Sequence, residues 1–518
     1  MTKEVDIRLS PEIAADETLF RKAIADHLCV AVGEICGIRK LKQSLDARKP
    51  TVWVNCRVQV YISEEPGSKI AEWPEMTNVS QKPEVVIIGA GPAGLFAALE
   101  LICVGLKPVI FERGKPVAER KADIASINRG APPDKNSNLC FGEGGAGTFS
   151  DGKLFTRSIK RGNTRRALEW LFLHGADERI LYEVHPHIGS NKLPGIIAKM
   201  RETILHHGGE YHFNHCLTEI GIESGKICKV VFNGNIQCET SAIILATGHS
   251  ARDIYQLLDR KGILLEAKPF ALGVRIEHSQ EFIDRAQYHG KPRGKYLPPA
   301  SYSLAKQIDG RGVFSFCMCP GGQIVPAVTS PGEIVLNGMS NAGRTGKFAN
   351  AGIVVTVDNK DFELFGEGAL AGMLFQQAIE QKAAEISGNG IAAPSQRASD
   401  FIRGKISSRL PESSYFPGCV SAMIRDIFPK NICNALRSGL IQFDKQIRGF
   451  ASSEALLLAT ESRTSSPIRI PRNPATLMHN QVTGLFPCGE GAGYSGGILS
   501  SAVDGMNTAL QVAVHLKS

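Results

Sequence analysis

The sequence predicts an α/β protein organised around a parallel-sheet unit, with a smaller α+β unit before it and a mixed α+β unit inserted into it. Three observations predict this class. Residues 85–112 read as an apolar strand, a glycine-rich turn, a helix and a second strand that ends in an acid. Two further apolar strands end in glycine, one in 241–248 and one in the segment 484–516, where a long helix follows. Between them, residues 269–430 mix short strands with helices.

The turn at residues 89–94 has the residue types that a bound pyrophosphate needs. Gly89 allows a sharp exit from the strand, Gly91 lets a phosphate approach the backbone, and Gly94 lets the helix pack closely on the strand. The helix N-terminus adds free N–H groups and the positive end of its dipole. Glu112 stands 18 residues after Gly94 (112 − 94), where a carboxylate can accept hydrogen bonds from an adenosine ribose. In this context the turn predicts a Rossmann-like dinucleotide site rather than an ordinary βαβ unit.

A second glycine-rich segment, residues 138–154, has five glycines within eleven residues. That density is incompatible with a stable helix or strand and offers N–H groups to a flat ligand or its phosphates. A mobile surface loop is the alternative. Thr148 and Lys153 add hydroxyl and ammonium groups that can contact such a ligand. Cys140 opens the segment and is our candidate catalytic residue, as a redox partner of a cofactor, although a single cysteine is more often a small packing residue.

Composition limits the classes of function. The 518 residues carry a net charge of +8, with dispersed basic residues apart from a denser run at 157–166. That run is interpreted as a solvated face or as a phosphate contact, and nucleic-acid binding is not favoured because no recognisable module appears. The thirteen scattered cysteines predict free thiols, and no spacing suits a metal. The acid-rich N-terminus and the short apolar runs predict a soluble, cytoplasmic protein with no membrane segment.

Pattern and composition divide the chain into four segments. Residues 1–82 are predicted to form a ferredoxin-like α+β unit with a linker and show no catalytic chemistry; we expect an interdomain or subunit contact there. Residues 83–268 form the first part of the nucleotide-binding domain. Residues 269–430 are the inserted substrate domain, and residues 431–518 return to the nucleotide-binding domain.

Two pairs of residues leave alternatives open. Cys317 and Cys319 lie two apart, so in a strand they point to one face, and they are read either as a redox centre or as packing residues. The strain of a disulfide between residues so close favours packing. Arg463 and Arg469 are read either as a clamp for an anionic substrate or as members of structural ion pairs.

The assembled motifs resemble one family over nearly the whole chain. They read GAGPAG with a following acid, CFGEGGAGTFSDGKL, ATGHSARD, FSFCMCPGG and GLFPCGEGAGYSGGILSSAVDG. This pattern is similar to the largely uncharacterised FAD-dependent dehydrogenases of bacteria and plastids, related to the glutathione-reductase-like flavoproteins. The resemblance implies a three-layer ββα FAD-binding domain that carries an inserted substrate domain, and it implies non-covalent FAD but no particular substrate.

The candidate FAD contacts come from the residue types and from this resemblance. They are Gly89, Gly91, Pro92, Ala93, Gly94, Glu112, Arg113, Gly145, Gly147, Thr148, Lys153, Ala246, Thr247, Gly248, Gly489, Glu490, Gly496, Gly497 and Ile498.

These features predict an FAD-dependent oxidoreductase that moves hydride or electrons between a small organic molecule and FAD. A structural or regulatory flavoprotein and a flavin-dependent RNA-modifying enzyme are the alternatives. No second dinucleotide motif appears, so NAD(P)H, if it is the electron donor, would enter the substrate cleft. The basic run 157–166 could then meet a 2′-phosphate, a hypothesis that includes Arg165 and Arg166.

Overall fold

The computed structural model describes residues 1–67, 70–155 and 162–517. The chain begins with a small α+β unit. Its elements are β1 (Thr2–Leu9), α1 (Pro11–Ala15), α2 (Glu17–Leu28), β2 (Ile35–Asp46) and β3 (Trp53–Ile62).

The three strands form an antiparallel sheet in the order β1-β3-β2, with helix α2 packed on one face. This is one split βαβ unit, whereas a ferredoxin-like fold contains two. Within residues 1–67 the predicted ferredoxin-like fold is therefore present only as its first half. Asp16 separates the two helices because it ends α1 and caps α2, accepting from Leu19 N–H.

The nucleotide-binding unit follows the linker. Its first part comprises β4 (Glu84–Ile88), α3 (Pro92–Cys103), β5 (Lys107–Phe111), α4 (Val117–Asn128), α5 (Thr164–Leu173), α6 (Leu193–His206), β6 (Glu210–His212), β7 (Leu217–Glu223), β8 (Lys226–Phe232), β9 (Ile236–Glu239), β10 (Ile243–Leu245) and α7 (Arg252–Arg260).

A second unit is inserted next, and the chain then returns. The inserted part comprises β11 (Glu266–Ala267), β12 (Phe270–Ser279), α8 (Gln280–Gln287), β13 (Ala305–Ile308), β14 (Arg311–Pro326), β15 (Leu336–Met339), β16 (Phe348–Val357), α9 (Asn359–Phe362), α10 (Ala371–Ile386), β17 (Ala393–Arg397), α11 (Ala398–Arg403), β18 (Cys419–Ser421), α12 (Lys430–Gln446), β19 (Leu456–Glu461) and β20 (Ile468–Arg469). The last elements are β21 (Leu485–Pro487) and α13 (Ile498–His515).

The nucleotide-binding unit has three layers around a parallel sheet in the order β21-β10-β4-β5-β6. Apolar residues of these strands alternate between two cores, as strand geometry requires. Ile87 and Ile244 pack with helices α3, α5, α6 and α13, whereas Ile88 and Leu245 pack with the β7-β8-β9 meander and α7. The α/β class predicted from the sequence is confirmed.

The inserted unit is built on a mostly antiparallel sheet in the order β13-β14-β16-β12-β19-β17-β18. Strand β19 pairs with β12 and β17, and helix α12 packs into the same core through Leu436 and Phe443. The chain leaves at β11 and returns at β20, which pair with each other. The predicted boundary at residue 430 thus lies inside this unit, whose core extends to β19, because the apolar face of α12 covers the antiparallel sheet.

The N-terminal unit touches both of its neighbours. In β2, Gln43 donates its N–H to Tyr182 O at 2.8 Å and accepts from Val184 N–H at 3.1 Å. Just after β2, Ala47 O accepts from the ring of His289 in the inserted unit. In the part of the chain that the structure describes, no helix has the length and apolar character needed to cross a bilayer.

Candidate cofactor-binding site

The turn after β4 has the close contacts that its glycines predict. A Cβ on Gly89, whose φ is +102°, would lie 2.5 Å from Ala246 O, and one on Gly94 would lie 2.0 Å from Gly89 O. Only glycine lets the strand, the turn and helix α3 approach so closely. Gly91 is the N-cap of α3, so no side chain caps the free N–H groups of this helix.

Glu112 is buried and joins three segments of backbone. Its Oε2 accepts from Ala90 N–H at 2.8 Å, and its Oε1 accepts from Gly114 N–H at 2.9 Å and Gly142 N–H at 3.0 Å. A carboxylate has about four acceptor positions. The side chain therefore fixes the first turn against the glycine-rich loop and keeps an acceptor position for a further donor.

Arg120 on α4 is a functional residue that the sequence argument missed. It is fully buried and donates to the carbonyls of Asn138, Leu139 and Glu143 at 2.7–2.8 Å. Burial lowers the pKa of Arg120 to about 10 although Glu112 lies nearby. Arg120 thus holds the glycine-rich loop in place. Its guanidinium group donates to four backbone carbonyls and to the Thr148 hydroxyl, which requires a side chain with several N–H donors.

Three side chains expected to contact FAD are bonded to other residues of the chain. The Thr148 hydroxyl is buried and donates to Glu143 O at 3.1 Å. Arg113 forms an ion pair with Asp253 of α7 and lies over the ring of Phe141. These two side chains support the backbone around the site.

Lys153, the third, points away into the inserted unit. Its Nζ lies 3.2 Å from Asp151, 3.5 Å from Cys319 Sγ and 3.8 Å from Cys317 Sγ. Arg344 lies on the other side of Asp151. Burial would raise the pKa of Asp151, but the charges of Lys153 and Arg344 outweigh it and lower that pKa to about 2.

The glycine-rich loop contacts the cofactor turn and the last helix together. A Cβ on Gly145 would lie 3.0 Å from Gly91 Cα, and one on Gly147 would lie 2.8 Å from the side chain of Ile498 and 4.0 Å from Pro92. The structure therefore brings together residues separated by about 400 positions of sequence (498 − 91 = 407).

The last two strands of the site converge on the same edge of the parallel sheet. A Cβ on Gly491 would lie 2.7 Å from Gly248 O, and one on Gly489 would lie 2.8 Å from Ala93. Thr247 adjoins Gly89. Asp504 of α13 accepts from Gly489 N–H at 2.7 Å and pairs with Arg472. The acid that holds this turn is thus Asp504.

Glu490 stays partly exposed beside His249. The His249 Nδ1 atom lies 3.3 Å from Glu490 Oε1, and it is buried without a well-aligned hydrogen bond. Helix α13 begins here, with Gly497 as its N-cap, and packs on α3 where Gly505 meets Ala93 O. The two helix N-termini therefore lie side by side at the carboxyl edge of the sheet.

Cys140 and the alternative anion clamp lie at the boundary with the inserted unit. The Cys140 thiol is half-buried and lies 3.6 Å from Ala327 O. Arg463 is almost fully buried and pairs with Glu333 at 3.1 Å and Glu380 at 2.9 Å. Arg252 pairs with the same two carboxylates at 2.9 and 2.7 Å. Arg463 therefore belongs to a structural ion-pair network, whereas Arg469 is partly exposed near Glu266.

The structure gives little support to a 2′-phosphate contact by the basic run 157–166. Residues 157–161 of this run lie outside the described residues. Arg165 binds Glu169 at 2.7 Å, and Arg166 binds Glu100 at 3.0 Å. Both guanidinium groups are engaged inside the nucleotide-binding unit, so this hypothesis stays a prediction.

The residues at the sheet edge fit FAD. Among the described residues, and apart from each glycine and its two chain neighbours, no heavy atom lies within 4 Å of a Cβ placed on Gly248, Gly496 or Gly497, and the nearest to one on Gly91 is 3.9 Å away. This leaves a strip of exposed backbone next to two helix N-termini without side-chain caps. Such a strip is what a diphosphate needs in order to approach N–H groups.

Comparison with known proteins identifies two matching domains and one long relative. Residues 269–464 match the family model described as "FAD-dependent protein, C-terminal domain-like", and residues 1–61 match a domain of unknown function. An uncharacterised protein of Clostridium beijerinckii is 40% identical over 521 residues, covering 97% of this chain and 96% of that protein.

Several solved structures align more loosely. CtdE in complex with FAD is 13% identical with a TM-score of 0.31, covering 85% of this chain and 86% of that one. The halogenase PltM is 11% identical with a TM-score of 0.39, covering 84% and 70%. These alignments are too loose to bear on the fold or the chemistry. On the long, 40% identical match, the chain belongs to the same family as the Clostridium beijerinckii protein, and its residues 269–464 carry the C-terminal domain of the FAD-dependent proteins.

Proposed function

We propose that the protein is an FAD-dependent oxidoreductase that transfers hydride or electrons between a small organic molecule and non-covalent FAD. The observation that carries this proposal is the open strip of backbone at Gly91, Gly248, Gly496 and Gly497, flanked by the N-termini of α3 and α13. When bound, FAD would supply hydride-transfer chemistry, which no protein side chain provides.

The chain's own residues have distinct tasks in this proposal. The N-terminus of α3 binds the diphosphate, and Glu112 accepts from the ribose with its remaining acceptor position. The N-terminus of α13, which no side chain caps, would supply a positive dipole end that favours negative charge on the flavin. Glu490, with the orphaned Nδ1 of His249 beside it, provides polar groups for the ribityl chain.

The substrate would bind between the glycine-rich loop and the inserted unit. This region combines the half-buried thiol of Cys140 with the charged groups of Asp151, Lys153 and Arg344. We further propose that the N-terminal unit holds the two larger units together through Gln43 and Ala47.

An anaerobic visible spectrum tests the proposal. We expect the purified or FAD-reconstituted protein to show flavin bands that bleach on addition of NADH, NADPH or the organic substrate. Bleaching by one nicotinamide identifies the donor, and a comparison of Arg165→Ala and Arg166→Ala tests the 2′-phosphate contact. Flavin that dithionite fails to reduce would favour a structural role, and a protein that binds no FAD would refute the site.

A further inference from the structure

Two thiols of the inserted unit form a buried cluster with Arg275 of the same unit and with Lys153 of the glycine-rich loop, outside the FAD strip. Cys317 and Cys319 lie on β14, where the pairing with β16 is irregular: Phe316 pairs with Gly352 but Cys319 pairs with Asn350. Three residues of β14 thus advance against two of β16, which is a β-bulge, and a second shift follows Cys319. Bulges of this kind re-aim side chains and are common beside active sites.

The backbone at the first thiol is also unusual. Cys317 has a φ of +45°, in the left-handed region that residues with a side chain rarely occupy. Such a conformation costs about 1–3 kcal/mol and persists where the surroundings enforce it, often at functional sites. A regular strand with two packing cysteines would need neither the bulge nor this φ.

The two sulfur atoms share one ammonium group. Lys153 Nζ lies 3.8 Å from Cys317 Sγ and 3.5 Å from Cys319 Sγ. Arg275, fully buried, donates to Cys317 O at 2.8 Å and lies 3.9 Å from Cys319 Sγ. Cys319 is fully buried, whereas Cys317 is partly exposed. Cys317 is therefore the more exposed residue of the pair, and Cys319 is the inner one.

The surrounding charges favour one thiolate and one thiol. Hydrogen bonding with Cys319, followed by the charges of Lys153 and Arg275, lowers the pKa of Cys317 well below its usual range. The same hydrogen bond and burial raise the pKa of Cys319. The titratable and charged groups that face Cys317 are Cys319, Lys153, Arg275, Asp151 and Glu461.

We propose that Cys317 and Cys319 form a redox-active dithiol that reduces a low-molecular-weight disulfide. The Cys317 thiolate attacks one sulfur of the disulfide, which breaks the S–S bond, forms a mixed disulfide and releases one thiolate. Cys319 then attacks Cys317 Sγ and releases the second thiolate, while its proton passes to a leaving thiolate. Two electrons move from the protein dithiol to the reactant, and the Cys317–Cys319 disulfide remains.

Glutathione disulfide is the probe that tests this proposal on the FAD-loaded protein. We expect the tryptic peptide containing both cysteines to become lighter by two hydrogen atoms and to recover its mass in excess reduced glutathione. Cys319→Ser should stop at a glutathione adduct on residue 317, and Cys317→Ser should form no adduct at this peptide. A wild-type peptide that keeps both thiols, or an equal adduct in Cys317→Ser, would overturn the proposal. Because the readout is peptide mass, it is independent of whether FAD is redox-active.

The role of Lys153 has a separate readout in the alkylation rate. From pH 8 to pH 6 a free thiol of ordinary pKa loses roughly 100-fold in reactivity towards iodoacetamide. Cys317 should lose less than about threefold over this range, with the exposed Cys29 as an internal reference. Lys153→Met should slow Cys317 at pH 6 by roughly tenfold, and Lys153→Arg should restore it. A Cys317 rate that follows Cys29 at every pH, or that ignores Lys153→Met, would contradict the proposal.

Discussion

Replacement of Glu112 by glutamine should loosen the nucleotide-binding unit even before FAD binds. The carboxylate accepts three backbone N–H groups from the first turn, the following turn and the glycine-rich loop. In Glu112→Gln the remaining oxygen can serve two of these donors, and the new NH₂ group then faces the third, from Ala90. The first turn, which contains Ala90, would then no longer be joined to the other two segments.

The magnitude follows from the value of each contact. Two charge-assisted hydrogen bonds become neutral, and one buried N–H loses its acceptor, which together costs about 3 kcal/mol. For a domain of this size that corresponds to a fall in Tm of about 6–12 °C. The assay is thermal unfolding of the FAD-free protein by circular dichroism, followed by titration with FAD.

The control is Glu119→Gln, because Glu119 lies exposed on α4 close to the same loop. We expect that variant to unfold within about 1 °C of the wild type, since exposed substitutions have small effects. If Glu112→Gln also stayed within about 2 °C and bound FAD as tightly as wild type, the reasoning about this carboxylate would be refuted.

Three further predictions concern other parts of the molecule. Burial lowers the pKa of His278 from 6.5 to about 4, so the contribution of the neutral ring to stability is complete above pH 6.5 and is lost as the pH falls towards 4. The loss is about 3 kcal/mol, from 2.5 pKa units at about 1.36 kcal/mol each. In urea unfolding, His278→Gln should reduce this fall in stability at acid pH. Arg463→Met should lower the free energy of unfolding by about 3–5 kcal/mol, because the buried carboxylates of Glu333 and Glu380 then share the single charge of Arg252; a variant with wild-type stability would restore the anion-clamp interpretation. Gly496→Ala should keep the wild-type Tm but weaken FAD binding by at least tenfold, or about 1.4 kcal/mol, whereas Gly33→Ala, also in open space but in the N-terminal unit, should change neither.

The strands and the helix around the first glycine-rich turn could be predicted because residues close in sequence determine them. The apolar run, the glycines and the following apolar run translate directly into β4, α3 and β5. Helix α4 was missed because half of its twelve residues are polar and its apolar residues are weakly patterned. A lone arginine in such a helix reads as a solvated residue, so the buried position of Arg120 had no signal in the sequence.

Other parts of the site depend on contacts between distant residues. Lys153 and the two cysteines are more than 160 positions apart, and no periodicity reports that their side chains meet. The boundary of the inserted unit depends on which sheet α12 covers, and its amphipathic pattern is the same in either case. The strain argument against a Cys317–Cys319 bond assumed a regular strand, whereas the strand is bulged at that point.

The interrupted order of the nucleotide-binding unit has a consequence for biosynthesis. Its first strands are synthesised early. Strand β21 and helix α13 are synthesised only after the whole inserted unit, and α13 completes the site by packing on α3 through Gly505. Segments that emerge first from the ribosome begin to fold first. The inserted unit can therefore fold around its own core while the FAD strip still lacks the N-terminus of α13. We expect FAD to bind late, only to chains that have been synthesised through residue 515.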